Sequence, residues 1–188
     1  MWSPELVRAV VGAGPIGVMH VMLARLHGAR RVIVSDLLAG RLPLAVWAGA
    51  DRTVHPPEED LAAVVAGESG GQGADAIVVA APSHQAQEEA LRLAAIGGRI
   101  NFFGGLPRDR PAIQFDSNAV HYRELVVTGT TACSTGDCWR AAALVNAGRV
   151  DLRPLVSARF PLREALAAFA TAEERTSLKV VIEPASVR

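Results

Sequence analysis

Hydrophobic residues follow two alternating patterns along this chain. Short continuous apolar runs, such as Ala76-Ile77-Val78-Val79-Ala80, alternate with segments whose apolar residues recur every three or four positions. A run with no polar face is the mark of a strand buried on both sides of a parallel sheet. The pattern predicts strands at residues 7–11, 31–35, 52–55, 75–80, 99–103 and 125–128. Between them lie predicted helices, with Ile16, Met19 and Leu23 marking the first and Ala86, Ala90, Leu93 and Ala94 the fourth. Strands alternating with helices imply right-handed βαβ units, and six of them suit the doubly wound order 3-2-1-4-5-6. Ser134 with Asp137 predicts a capping box opening a helix over 137–146. Further on, Phe160-Pro161-Leu162 leads a helix with Leu162, Ala165, Leu166, Phe169 and Ala170 on one face, and a last strand is predicted at 178–182. The expected division is therefore a domain over 1–154 and a short β-α-β appendage over 155–188.

Composition narrows the class. The 188 residues are half hydrophobic, enough for one domain with a substantial core. The 19 basic residues balance 19 acidic ones, which gives no electrostatic reason to expect nucleic acid or an anionic membrane as partner. No segment approaches the roughly 20 apolar residues of a membrane span. Pro4 and Glu5, ahead of a short apolar strand, do not make a signal peptide. Two cysteines, Cys133 and Cys138, are no disulfide framework, so a cytoplasmic location is expected.

The candidate chemistry lies in Val10-Val11-Gly12-Ala13-Gly14-Pro15-Ile16-Gly17, with Asp36 closing the next strand. This is a dinucleotide fingerprint, G-x-G-x-x-G, in its full context of strand before and helix after. Gly12 permits the tight turn, Gly14 lets backbone approach a pyrophosphate, and Gly17 lets the helix pack close to the sheet. Pro15 suits the first helical position, where no intrahelical N–H bond is lost. The helix N-terminus points N–H groups and a positive dipole end at phosphates. Asp36 is placed to accept hydrogen bonds from an adenosine ribose and to repel a 2′-phosphate, favouring NAD(H) over NADP. Arg41, nearby, is expected to cover the adenine face or pair with Asp36. The fold class expected is thus α/β, a six-stranded parallel Rossmann sheet with the C-terminal appendage.

With these residues and with Gly49-Ala50-Asp51, Gly97-Gly98-Arg99, His121-Tyr122-Arg123-Glu124-Leu125, Thr128-Gly129, Gly148-Arg149-Val150 and Leu178-Lys179-Val180-Val181, the chain resembles the zinc-dependent medium-chain dehydrogenases. The similarity is to their sorbitol-like polyol and threonine dehydrogenase branch. The resemblance implies an NAD(H)-binding Rossmann portion, with the catalytic zinc and proton relay on a separate, largely N-terminal domain absent here. It implies Ile16 behind the nicotinamide ring, Phe103, Gly104, Thr130 and Thr131 near its carboxamide end, and Ala80 and Ala81 on the adenosine side. Lys179, the one lysine, matches a basic residue reaching the pyrophosphate. Val79 and Pro82 stand where the family usually has an acidic residue and a glycine, which implies a reshaped adenosine-side pocket. It also implies a homodimer through the edge strand from Leu125 to Thr128, with an exposed apolar edge prone to pairing.

Other chemistries find less support. His20, His27, His55, His84 and His121 are scattered singly, and Cys133 and Cys138 form one pair without a second, short of a zinc ligand set. Tyr122 has Val126 four residues on, not the lysine of a short-chain dehydrogenase. Ser83-His84 reads as a helix start. A methyltransferase would share the glycine turn but not the later segments. The expectation is the cofactor-binding portion of a secondary-alcohol or polyol dehydrogenase, taking a small-molecule substrate only when completed by a catalytic domain. The alternative is a non-catalytic NAD(H)-binding, dimerising module.

Overall fold

A computed structural model describes residues 6–174 and 177–184. Pro4 and Glu5, cited above against a signal peptide, lie outside these residues. The chain divides into two compact units, Met1–Ser134 and Thr135–Arg188, so the helix that begins at Thr135 belongs with the second.

The first unit runs β1 (Val7–Val11), α1 (Pro15–Leu26), β2 (Arg31–Ser35), α2 (Leu42–Trp47), β3 (Arg52–Val54), α3 (Leu61–Glu68), β4 (Ala74–Val79), α4 (His84–Leu93), β5 (Ala94–Phe102), α5 (Ser117–Tyr122) and β6 (Val126–Gly129). All six strands pair in parallel in the order β3-β2-β1-β4-β5-β6. Val10 stands between Val34 on one side and Val78 on the other. Val32, Val34 and Val10 pack with Val21, Ala24 and Ala45 on one side of the sheet. Ala9, Ile33, Ile77, Val79 and Ile100 pack with Val65, Ala90 and Leu91 in a second cluster. Each fully buried Val or Ile stabilises the fold by about 1.5–3 kcal/mol, so the continuous apolar strands dominate the core.

Capping sets the helix starts. Ser83 accepts from the Ala86 N–H at the head of α4, and Asp60 and Asp116 do the same for α3 and α5. Pro43 lies in the first turn of α2, where its missing N–H costs no helical bond. One boundary corrects the expectation: Ala94 opens β5 and is not part of the fourth helix. It pairs with Ala74, and regular pairing then resumes only at Arg99 opposite Ala76. The intervening segment turns through Gly97 at φ 71°, and a Cβ on Gly98 would lie 2.8 Å from the Ala95 carbonyl oxygen. Backbone crowding, invisible to hydrophobic periodicity, accompanies a helix that ends one residue earlier than expected.

In the second unit, α6 (Thr135–Asn146) is followed by β7 (Val156–Pro161), α7 (Ala165–Glu173) and β8 (Lys179–Glu183). β7 and β8 form a parallel pair, the β-α-β piece expected of the tail. Its helix leaves most of that apolar face exposed. Ala168 is the buried residue of α7, whereas Leu166 is 88% and Phe169 63% exposed. Two short strands offer a shallow surface against which a small side chain packs closest. The larger apolar residues are therefore left outward.

A polar network ties the far end of α1 to the sheet. Asp51 Oδ2 accepts from the Val32 N–H at 2.7 Å and pairs with the Arg25 guanidinium, which also donates to the carbonyls of Gly49 and Ala29. Gly49 has φ 108°, and a Cβ there would meet Arg25 Cγ at 2.8 Å. This explains Gly49-Ala50-Asp51 as a structural corner. Asp51→Ala leaves a buried N–H and a half-buried guanidinium unpaired and is expected to cost about 2 kcal/mol. Arg52→Ala, which breaks an exposed pair with Glu59, should cost less than about 1 kcal/mol. Urea unfolding of both variants checks the contrast, and equal losses would contradict it.

Candidate functional site

The carboxyl ends of β1, β4 and β5 converge on one point. The Gly12 N–H donates to the Ser35 carbonyl at 2.7 Å and the Ala80 N–H to the Val11 carbonyl at 2.8 Å. Phe103 and Gly104 both donate to the Val79 carbonyl, at 3.1 and 2.8 Å. Gly12 has φ 105°, a conformation that glycine adopts without strain. A Cβ on Gly17 would lie 1.7 Å from the Gly12 carbonyl oxygen, and one on Gly104 would lie 2.7 Å from the Ala81 backbone. By contrast, a Cβ on Gly14 would meet no atom within 4 Å, so the space before this residue is open.

α1 begins beside that space, with extended Gly14 as its N-cap and Pro15 in its first turn. First-turn N–H groups, here those of Ile16 and Gly17, have no partner within the helix and carry the positive end of its dipole. A phosphate placed before Gly14 would meet both. The cradle therefore fits a pyrophosphate.

Asp36 directly follows β2, with its side chain 8% exposed. Oδ2 accepts from the Ala13 N–H at 2.7 Å and Oδ1 from the Leu38 N–H at 2.8 Å, while Arg41 Nη1 lies 3.8 Å away. The carboxylate thus holds the glycine loop and orients its own backbone. An ionised carboxylate has about four acceptor positions, so two N–H bonds leave capacity for hydroxyl donors. Arg41 does pair with Asp36, as one of its two expected roles required.

On the other side of the glycine turn, Ile16 and Phe103 are each 37% exposed. The His20 ring stands edge-on to Phe103 with centroids 5.0 Å apart and planes at 77°. Burial lowers the His20 pKa below the ordinary histidine value. Thr130 Oγ1 donates to Asn101 Oδ1 at 3.2 Å beyond β6, and Thr131 is exposed. Lys179 opens β8 in the second unit, where its N–H meets Ser157 Oγ at 3.2 Å.

The structure therefore brings Gly12, Gly17, Ala80, Ala81 and Gly104 into one backbone cluster and joins Asp36 and Arg41 to its β2 flank. Gln87 is a residue that periodicity missed: it is buried and donates to the Gly104 carbonyl. A signal was present, because Gln87 lies three residues before Ala90 and four before Leu91 on the buried side of α4. For zinc, no group of three or more His, Cys, Asp or Glu residues that could hold a metal occurs among the described residues. These residues do not fit a zinc site. Nor is any helix among them long and apolar enough to cross a membrane.

Residues 15–147 match the family model for zinc-binding dehydrogenases, and the chain belongs to that family. L-threonine 3-dehydrogenase of Bacillus licheniformis is 33% identical over 177 residues, 94% of this chain and 51% of that protein. The enzyme of the same name from Symbiobacterium thermophilum is 36% identical over 178 residues, 93% of this chain and 50% of that one. Among solved structures, a zinc-binding dehydrogenase from Sinorhizobium meliloti 1021 bound to NADP superposes with a TM-score of 0.87 at 31% identity. That match covers 95% of this chain and 53% of the other. The chain spans about half the length of the curated relatives it matches.

Because the His20 pKa is lowered in the folded state, the unfolded chain takes up its proton first as pH falls through about 6.5. The stability associated with neutral His20 is full above that value and is lost progressively below it. His20→Gln should flatten the acid-side decline in urea midpoint between about pH 7 and pH 5. An unchanged slope in the variant would contradict this assignment.

Proposed function

We propose that this chain is the NAD(H)-binding portion of an oxidoreductase acting on secondary alcohols or polyols, and that it is not catalytically competent alone. One observation carries the cofactor reading. The buried Asp36 carboxylate is hydrogen-bonded to the fingerprint loop at Ala13, beside the open approach to Gly14. In this reading the pyrophosphate lies on the first turn of α1, and Asp36 accepts from the adenosine ribose. Arg41 flanks the adenine, Ala80 and Ala81 border the adenosine side, and Ile16 backs the nicotinamide. Phe103, Gly104, Thr130 and Thr131 stand near its carboxamide end. When bound, the nicotinamide supplies the hydride donor or acceptor. The chain's own residues hold the ring and screen it from water.

Electrostatics decides between the two nicotinamide cofactors. Two unit charges 4 Å apart interact by about 4 kcal/mol at an effective dielectric near 20, against about 1.4 kcal/mol for a tenfold preference. Asp36 therefore disfavours a 2′-phosphate even after generous screening. The nearby Arg41 cation and the NADP in the Sinorhizobium meliloti structure favour the opposite choice. Arg41 already faces Asp36, so the reading here is NAD(H).

Relatives about twice as long support a catalytic zinc and a substrate site on polypeptide outside these residues. A non-catalytic NAD(H)-binding module is the second reading, favoured by β6 at the sheet edge with Val126 partly exposed. Either reading includes a cytoplasmic homodimer through that edge.

Calorimetry with NADH and NADPH tests the cofactor. NADH is expected to bind at least about tenfold more tightly, and Asp36→Asn, which keeps one acceptor oxygen without the charge, should narrow the ratio. Tighter NADPH binding by the unaltered chain would overturn the assignment. The purified chain is also expected to oxidise no polyol, with or without added zinc, in a nicotinamide absorbance assay. Measurable zinc-dependent turnover would overturn the claim that it cannot act alone.

A further inference from the structure

Gln87 sits one turn inside α4, 5% exposed, and its Nε2 donates to the Gly104 carbonyl at 2.9 Å. Its neighbours on that side, Ala90 and Leu91, are buried as well. An apolar residue would cover this face with no desolvation cost, so the amide is justified by what it holds. What it holds is the turn leaving β5. The Gly104 N–H is bound to the Val79 carbonyl at 2.8 Å, and Gly104 lies so close to Ala81 that no side chain fits. Both polar groups of this one residue are therefore fixed.

The peptide joining Gly104 to Gly105 is trans, since no cis bond occurs among the described residues. In a planar trans peptide the carbonyl and the following N–H point in opposite directions. With the Gly104 carbonyl drawn under α4, the Gly105 N–H must face away from α4. Gly105 is exposed, and a Cβ built on it would meet no atom within 4 Å, so the space beside it after β5 is open.

We propose that Gln87 is a positioning residue of the dinucleotide site. By clamping the Gly104 carbonyl it presents the Gly105 N–H as a fixed donor to the nicotinamide half of the cofactor. This rests on the NAD(H) reading above and adds to it a residue that touches no cofactor atom. Fixing the donor before binding saves the ordering cost of a glycine pair, which is otherwise the most flexible backbone available.

The test compares NADH with ADP-ribose, which shares the adenosine and diphosphate but lacks nicotinamide. Gln87→Met removes the donor at similar volume and should weaken NADH by about tenfold, the upper range for one hydrogen bond, while ADP-ribose stays within about twofold. General structural damage would weaken both alike. Loss of both ligands in parallel, or no change in either, overturns the positioning role. If the unaltered chain binds neither ligand, the dinucleotide reading itself fails and this inference falls with it. A measurement on the unaltered chain guards against a variant that does not fold. The Gly105 amide resonance should shift on adding NADH and hold its place with ADP-ribose. An amide that ignores NADH, or follows both ligands equally, overturns the proposal.

Discussion

Three backbone segments cross within van der Waals contact at the carboxyl ends of β1, β4 and β5. Everything at the candidate site depends on that crossing. It exists because side chains are absent or minimal there: Gly17 lies over the Gly12 carbonyl, and Ala81 is wedged between Gly12 and Gly104. At Gly17 and Gly104 the contact is closer than a Cβ would allow, at Gly12 a Cβ would be tight, and interiors packed at crystal density have little slack to absorb one. α1 is consequently brought down onto the sheet with its first turn facing the open space before Gly14. The pyrophosphate role proposed for the site rests on this steric fact, because helix N–H groups attract a phosphate only if backbone can approach.

Asp36 shows how one side chain serves the fold and the site together. Its two oxygens take N–H groups from Ala13 and Leu38, which couples the glycine loop to the end of β2. The same bonds hold the carboxylate in the position from which it would recognise a ribose. Arg41 sits at its edge and balances part of the charge. Removing the carboxylate altogether would therefore disturb the loop as well as recognition. Asp51 plays the parallel part at the opposite end of α1, where Arg25, Gly49 and Val32 meet. A pair of aspartates thus fixes both ends of the first βαβ unit, one facing the candidate site and one remote from it.

Most of the first unit was legible because a doubly covered parallel strand must be apolar on both faces, and no other element of that length is. The six strands occur in the predicted order, with ends displaced by no more than one residue except at β5. There the chain leaves the helix early and runs through Gly97 and Gly98, where contacts with Ala74 and Ala95 govern the path. The tail was legible as β-α-β but not in orientation. Periodicity identifies the apolar stripe of α7; it contains no information about which neighbour offers a surface deep enough to receive it.

Local chemistry was determined by the sequence itself. Glycine spacing, the proline in the first turn of α1, the acid ending β2 and the capping residues act over a few residues and are readable in order. Long-range placement was decided only by the tertiary structure. Gln87 and Gly104 are 17 residues apart and meet because β4, α4 and β5 fold back on one another. His20 meets Phe103 for the same reason, and desolvation by the packed sheet lowers its basicity. Such contacts depend on the backbone paths of several elements at once, whereas a fingerprint depends on one turn.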